Sequence, residues 1–353
     1  MSDPTEAPPP VHGPDKPKKG SLARDAIFAI AGGLAIFVIG TLFFDTGWIR
    51  DRKGTQGDSG TGFQQAAYFQ PPMSSAIPDG PSGDAVRRGE AIFMNTPANA
   101  PDFVGNTLTC AACHLDGGRR PNSAPMWAAW VVYPKYRAKN QQINTMEDRI
   151  KGCFTYSMNA QASPTGGPPP AGHDVYKDLQ TYMHFLASGA PTGVDMDGAG
   201  YPVLEKTALG YDPARGARVF TENCAVCHGT DGQGQADANG RNVFPPLWGP
   251  QSYNWGAGMA RVNTAAGFIK ANMPLGQTDR LSDQEAWDVA AFINSHERPR
   301  DPRQTGTVAE TAARNHAGDE TFYGRTYQGR LIGVGSPPVP APPGAARAAD
   351  AGR

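Results

Sequence analysis

The chain has 353 residues, of which 43 are glycine and 33 are proline, and its formal net charge is −1. This length can form two modest domains, and the glycine and proline content indicates that much of the chain lies in loops. A charge so close to zero argues against nucleic acid or another polyanion as a partner. The composition therefore favours two small domains whose chemistry lies in local motifs.

The first predicted element is a helix that spans a membrane. Residues 26–44 form an uncharged run of 19 residues, about the length that crosses a hydrocarbon core. A cleaved signal peptide is the competing interpretation, but no small-residue cleavage pattern follows the run. We predict a cytoplasmic tail over 1–24, a transmembrane anchor over 25–45 and a Gly/Ser/Pro-rich tether over 46–80.

The pentapeptide C-x-x-C-H occurs twice and uses four of the five cysteines. In this motif the two thiols form thioethers with the haem vinyl groups, and the histidine is the proximal iron ligand. A zinc site does not need a histidine after both cysteine pairs, and a thioredoxin-type motif would lie in a βαβ pattern that is absent. We predict two covalently bound c-type haems, attached at Cys110, Cys113, His114, Cys224, Cys227 and His228.

The haem motifs also indicate where the chain resides. The numbers of lysines and arginines on the two sides of the predicted anchor are too similar to decide its orientation. Because the chain resembles bacterial c-type cytochromes, whose haem is attached outside the cytoplasmic membrane, we expect residues after about 45 in the periplasm. The expected location is the cell inner membrane, crossed once.

Each haem motif is preceded by one predicted helix and followed by another, which is a weak internal repeat. Apolar residues recur at helical spacing over 85–93 and over 175–186. In the second copy Asp212 and Pro213 start a helix, and Ser282 to Glu285 form a capping box. No stretch alternates convincingly as a strand.

The predicted fold is therefore all-α, with two cytochrome c domains in tandem behind the membrane helix. The first domain covers 81–190 and holds the first haem, and the second covers 213–300 and holds the second haem. A Gly/Pro/Asp-rich linker, 191–212, joins them. The remaining residues, 301–353, are rich in Pro, Ala, Gly and Arg and are expected to be extended or disordered.

The distal iron ligands differ in how well the sequence defines them. In the second domain Met273 precedes a proline in a loop before the closing helix, which favours it over Met259 as ligand. The first domain has no Met-Pro pair. Its residue types leave seven candidates open: Met126, Met146, Met158, Met183, His173, His184 and the unpaired Cys153.

Three segments, 106–119, 147–159 and 258–276, resemble the dihaem thiosulfate dehydrogenase family, and the similarity covers most of 78–300. The resemblance implies that Cys153 is the distal ligand of the first haem and that Arg149 and Ser157 line the substrate site, with Arg137 as a further candidate. Some members carry a lysine before the methionine ligand. This chain differs from those members because it has Asn272 at that position. The predicted membrane anchor is a second difference from the family pattern.

The implied reaction joins two thiosulfate ions into tetrathionate, or runs in reverse with a reducing partner. The stretch from residue 119 to residue 151 contains seven Lys/Arg and only two acidic residues, and this excess of positive charge suits a dianionic substrate. Of the seven, Lys135, Lys139 and Lys151 are expected to be solvated. A thiolate lowers the potential of the first haem, so electrons should run to the second and then to a small cytochrome c, a high-potential iron–sulfur protein or an oxidase.

Two other functions fit the motifs. One is a membrane-anchored electron-transfer subunit without substrate chemistry, which would need no thiolate ligand or cationic pocket. The other is a Sox-type cytochrome that joins substrate to a cysteine of a carrier protein. The identity of the distal ligand of the first haem separates the enzyme from the electron carrier.

Overall fold

A computed structural model describes residues 68–238 and 241–337. These residues belong to one compact unit of the chain, Gln64–Arg353. The predicted transmembrane anchor lies outside the described residues. None of the helices in the described ranges is long and apolar enough to cross a membrane.

Helices dominate the described residues, as predicted. Those of seven or more residues are α1 Pro81–Met94, α2 Met126–Val132, α3 Met146–Tyr156, α4 Asp174–Leu186, α5 Pro213–Asn223, α6 Val262–Asn272, α7 Asp283–Asn294 and α8 Val308–Asn315. Short turns of helix carry the haem motifs between them. The order matches two copies of a helix, a haem loop and a closing helix.

The described residues also contain three antiparallel strand pairs, which the sequence did not indicate. They are β1 Lys135–Arg137 with β2 Gln142–Asn144, β3 Gln235–Ala236 with β4 Asn242–Phe244, and β5 Thr326–Tyr327 with β6 Arg330–Leu331. In the first pair Tyr136 lies opposite Ile143. Strands of two or three residues are too short to show an alternating pattern, so the expectation of no strands is wrong at these places.

In the first domain α1 crosses α4 at a glycine. A Cβ atom on Gly89 would lie 2.1 Å from the carbonyl oxygen of Asp178, so no larger residue fits without moving the backbone. Beside the crossing, Arg88 donates two hydrogen bonds to the Asp178 carboxylate, at 2.9 and 2.8 Å. The predicted stripe of α4, from Val175 to Leu186, is buried against this contact.

The second domain repeats this crossing with α5 and α7. A Cβ atom on Gly216 would lie 2.0 Å from the carbonyl oxygen of Asp288, and Arg215 donates to the Asp288 carboxylate at 2.7 Å. Asp212 caps α5 by accepting from the Ala214 N–H at 2.7 Å. The predicted helix starts and the capping box of Ser282 are confirmed, so the weak repeat in sequence corresponds to a repeated helix crossing.

Buried amide side chains join the two haem domains. Asn254 follows the second haem motif and donates to the carbonyl oxygen of Thr155 in α3 at 2.9 Å. In the other direction Asn106 donates to the carbonyl oxygen of Ser252 at 3.1 Å. Because these bonds are buried, they hold the second domain at the end of α3, next to the predicted catalytic residues.

The segment after the second domain differs from the predicted extended or disordered tail as far as residue 337. It contains α8, which starts with a capping box of Thr307 and Glu310, and the β5–β6 pair. Phe322 and Tyr323 are buried against the core. These few apolar residues are spread among Pro, Gly and Arg, so the composition hides their packing.

Candidate active site

The first haem motif forms a short helical turn with its histidine held by the backbone. Thr109 caps the turn by accepting from the Ala112 N–H at 3.2 Å. The Nδ1 atom of His114 lies 2.8 Å from the carbonyl oxygen of Ala124. A carbonyl oxygen only accepts, so Nδ1 carries the proton and Nε2 is left as the atom that can bind a metal.

The second motif has the same local design. The Nδ1 atom of His228 lies 2.9 Å from the carbonyl oxygen of Pro245. Burial lowers the pKa of His228, although the bond to Pro245 raises it. A neutral imidazole with a free Nε2 is the form that binds iron, so both predicted proximal ligands have the required tautomer.

A cavity of about 390 Å³ opens beside the first motif. Cys110, Cys113 and His114 lie on its wall, as a covalently attached haem requires. Most of the remaining wall is apolar, as a porphyrin face needs: Phe93, Leu108, Met126, Ile150, Phe154, Leu179 and Met183. The residues present therefore fit a c-type haem at this position.

Three of the predicted substrate-site residues follow from the geometry of one helix. Thr145 and Asp148 form a capping box that starts α3. From there Arg149, Cys153 and Ser157 recur at every fourth residue, which places them along one face. All three line the cavity, and Nη1 of Arg149 lies 3.2 Å from the Cys153 sulfur.

Cys153 differs from the other two thiols on this cavity. Burial raises the pKa of Cys110 and of Cys113 to about 12. Burial also raises the pKa of Cys153, but the Arg149 charge, the neighbouring His114 side chain and the Arg137 charge outweigh it and bring the pKa down to about 7. Cys153 is therefore the thiol of this cavity that ionises most readily, and it lies beside the predicted proximal ligand.

Arg137 joins the same site from β1. It lines the cavity, donates to the Tyr133 hydroxyl at 3.0 Å and contributes to lowering the pKa of Cys153. The hairpin that carries it was not predicted. The structure thus brings together all four predicted catalytic residues, Arg137, Arg149, Cys153 and Ser157.

The other candidates for the distal position separate into two groups. The four methionines line the cavity together with Cys153. The two histidines do not: His173 accepts from the Val175 N–H at the start of α4, and the His184 ring packs edge-on against Trp130. Contact with both Arg149 and His114 distinguishes Cys153 from the methionines.

A second group of cations near the site was missed from sequence. The Lys139 ammonium lies 4.3 Å from the centre of the Tyr156 ring and donates to the carbonyl oxygen of Gly256 at 2.7 Å. The Arg303 guanidinium lies 5.4 Å from the same ring. Partial burial, then repulsion by Arg303 and Arg149, lowers the pKa of Lys139 to about 8. Lys135 and Lys139 are both exposed, as expected, and Lys135 also lines the cavity.

The methionine candidates of the second haem occupy different local settings. Met273 directly follows α6, is partly buried and packs against the core. Met259 lies in the short turn Gly258–Ala260, where its carbonyl oxygen accepts from the Tyr253 hydroxyl at 3.3 Å. The assignment of Met273 as the ligand stays a prediction.

Two family models match the chain. One describes a SoxA/TsdA cytochrome c domain and matches residues 101–192. The other describes cytochrome c and matches residues 213–297. Each match contains one of the two haem motifs, so the two cytochrome c domains are confirmed.

Several characterised relatives share most of their length with this chain. A thiosulfate dehydrogenase of Stutzerimonas stutzeri is 49% identical over 76% of this chain and 86% of its own length. One of Thiomonas intermedia is 47% identical over 77% and 84% of the two chains. A solved structure of thiosulfate dehydrogenase (TsdBA) from Marichromatium purpuratum has a TM-score of 0.75 and 55% identity, over 76% of this chain and 58% of that one.

Proposed function

Because the chain belongs to the thiosulfate dehydrogenase family, we propose that it oxidises two thiosulfate ions to tetrathionate with its two covalently bound haems. The observation that carries this proposal is the Cys153 sulfur, 3.2 Å from Nη1 of Arg149, in the cavity of the first haem motif. An electron carrier without substrate chemistry needs neither a thiolate nor a cationic pocket. The geometry therefore favours the enzyme over the carrier.

The site binds the substrate through its cations. Thiosulfate carries two negative charges, and Arg137, Arg149 and Ser157 line the cavity. A guanidinium has five N–H donors, so Arg149 can contact the Cys153 sulfur and still donate to a sulfonate oxygen. Charge-assisted bonds of this kind are the strongest hydrogen bonds in proteins.

Cys153 supplies a sulfur nucleophile at the same place. Its thiolate can form an S–S bond with the outer sulfur of one thiosulfate, a step that releases two electrons. The outer sulfur is then attacked by a second thiosulfate, which forms tetrathionate and restores the thiolate. Two haems, held through His114 and His228, would supply the two one-electron acceptors that this oxidation requires.

The proposed iron ligands order the two haems by potential. His114 and Cys153 would hold the first haem, and His228 and Met273 the second. A thiolate donates electron density and lowers the potential, whereas a methionine raises it. Electrons therefore run from the first domain to the second, and from there to a small cytochrome c, a high-potential iron–sulfur protein or an oxidase.

The uncharged run at 26–44 supports an anchored form of this enzyme. We propose that it crosses the inner membrane once and leaves the haem domains in the periplasm. Osmotic shock should then leave the protein in the membrane fraction. Release of the full chain into the shock fluid, or a mature N-terminus near residue 46, would contradict the anchor.

The reaction is tested with the purified protein that retains both haems. Thiosulfate is added with ferricyanide as acceptor, and the product is identified by ion chromatography. We expect one ferricyanide reduced for each thiosulfate consumed and one tetrathionate formed for every two. Reduction of the haems without tetrathionate would show an electron carrier and would contradict the proposed reaction.

A further inference from the structure

The segment between the two cytochrome domains packs tightly against both. The carbonyl oxygens of Gly198 and Gly200 accept from the backbone N–H groups of Asn122 and Ala124, each at 2.8 Å. On the other side, a Cβ atom on Gly267 of α6 would lie 2.0 Å from the carbonyl oxygen of Pro202. The backbone of the linker is therefore in direct contact with α6 and with the loop that follows the first haem motif.

An aromatic contact connects the same parts. The Tyr201 ring lies parallel to the His114 ring, with 6.5 Å between their centres, and meets the Phe268 ring of α6 edge-on at 5.5 Å. The proximal ligand of the first haem is thus one side chain away from the helix that ends at Met273.

Asn272 completes this contact with a direct bond. It is fully buried at the end of α6. Its Nδ2 atom donates to the carbonyl oxygen of Asn122 at 2.9 Å and to that of Phe268 at 3.0 Å. Both partners only accept, so the orientation of the amide is determined.

The two ends of this bond lie next to the proposed axial ligands. Asn272 immediately precedes Met273. Asn122 lies two residues before Ala124, whose carbonyl oxygen holds Nδ1 of His114 at 2.8 Å. Hydrogen bonds to the second nitrogen of a ligand histidine set its orientation and its basicity. One buried amide therefore connects the loops that present a ligand to each haem.

We propose that Asn272 is a positioning residue that couples the two haems, because it holds the distal loop of the second against the proximal loop of the first. The inference rests on the proposed ligands His114 and Met273. It adds that a single residue in the second domain sets the ligand field of both haems. It also gives a role to the asparagine that stands at this position before the methionine.

Two substitutions separate this role from a loss of folding. Asn272→Leu keeps the branched shape of the side chain and loses both bonds. Asn272→Ser can still bond back to the carbonyl oxygen of Phe268 within the helix, but its shorter side chain does not reach Asn122. Thr278→Val is the matched control, because Arg120 donates to the Thr278 hydroxyl at 3.3 Å across the same two domains, on the surface.

Three quantities are measured, and none of them needs thiosulfate. Two are the reduction potentials of the haems, followed by absorbance in a redox titration. The third is the intensity of the near-infrared band of methionine-ligated ferric haem. We expect both Asn272 variants to lose intensity in this band and to shift the potentials of both haems. We expect each reduction potential to shift by about 59 mV, which corresponds to a tenfold change in the one-electron equilibrium. This is the size expected from one buried hydrogen bond. Thr278→Val should match the wild type in all three readouts.

The outcomes are distinct. If Asn272→Ser shifts only the second haem, or neither, the coupling is wrong even where the variant folds with two haems. An equal shift in Thr278→Val would show that any loss of contact between the domains has this effect and would also contradict the proposal. If the wild type itself lacks the methionine band, Met273 is not an iron ligand and the proposal is wrong. Failure of the thiosulfate assay would leave these spectroscopic results unchanged, so the proposed reaction is tested separately.

Discussion

At the scale of single residues, the site depends on the neighbours of Cys153: Nη1 of Arg149 lies 3.2 Å from its sulfur, and the Arg137 charge lowers its pKa from β1. The residue types of the first domain left seven candidate ligands, and only a family resemblance selected among them. Arg149, Cys153 and Ser157 are spaced four residues apart, which already places them on one helix face. Arg149 contacts Cys153 from one turn earlier in α3, but the other two neighbours are long-range, because His114 reaches it from another loop and Arg137 from a hairpin that sequence did not show.

The role of Arg149 can be tested by its loss. Arg149→Ala should lower kcat/KM for thiosulfate by roughly 10² or more, because removing one partner of a buried charged contact costs about 2 to 5 kcal/mol. Steady-state ferricyanide reduction measures this. Lys151→Ala is the control, since Lys151 is an exposed cation of the same helix. Equal losses in the two variants would indicate a general charge effect instead of a contact with substrate.

At the scale of secondary structure, the sequence predicted elements that local chemistry determines. The cap of α5 by Asp212 and the capping box of α7 were readable because their partners lie within three residues. The β1–β2 hairpin was not, since it is short and depends on packing. The segment after residue 300 was missed because its apolar residues are too sparse to form a pattern, although Thr307 and Glu310 form a local capping box.

The two helix crossings give a test at this scale. Gly216→Ala should destabilise the protein by about 1 to 3 kcal/mol, because the added Cβ atom meets the backbone of Asp288 and a packed contact must shift. Urea unfolding followed by circular dichroism measures the change. Gly167→Ala is the control, since no atom lies within 4 Å of its added Cβ, and it should stay within about 0.5 kcal/mol. If Gly216→Ala leaves the free energy of unfolding unchanged, the helix crossing relaxes around the added Cβ atom and the prediction is wrong.

At the scale of the whole molecule, the segment after the second domain joins the structure beside the catalytic site. Asp301 is buried, and it accepts from His316 at 2.7 Å and from Arg303 at 2.6 Å. Arg303 in turn lies over Tyr156 of α3. Asp301, which the predicted domain boundaries assigned to the tail, therefore supports the helix that carries Cys153 through its bond with Arg303.

This carboxylate should make the stability depend on pH. Burial raises the pKa of Asp301, but hydrogen bonds from His316 and Arg303 outweigh it and hold the pKa well below its usual range. The unfolded chain then binds a proton more readily than the folded one below a pH of about 4. The stabilisation from Asp301 is present above that pH and is lost as the pH falls further.

The measurement compares urea unfolding of the wild type and Asp301→Asn at pH 7 and at pH 3. At pH 7 the variant should be less stable by about 3 to 5 kcal/mol, because the Arg303 guanidinium loses its charged partner at a buried site. The difference should narrow at pH 3. Asp174→Asn is the control, since Asp174 pairs with Lys177 on the surface, where an ion pair contributes about 0 to 1 kcal/mol. A constant difference at both pH values would contradict the predicted titration.

The central claim is that Cys153 is the centre of thiosulfate oxidation, and the most direct test is the turnover of Cys153→Ala. Haem content and the visible spectrum first establish that the variant retains both haems, whose attachment uses other cysteines. We expect thiosulfate-dependent ferricyanide reduction to fall by roughly 10³-fold or more, as when a reacting nucleophile is removed. Turnover equal to the wild type in a variant with two haems would contradict the account.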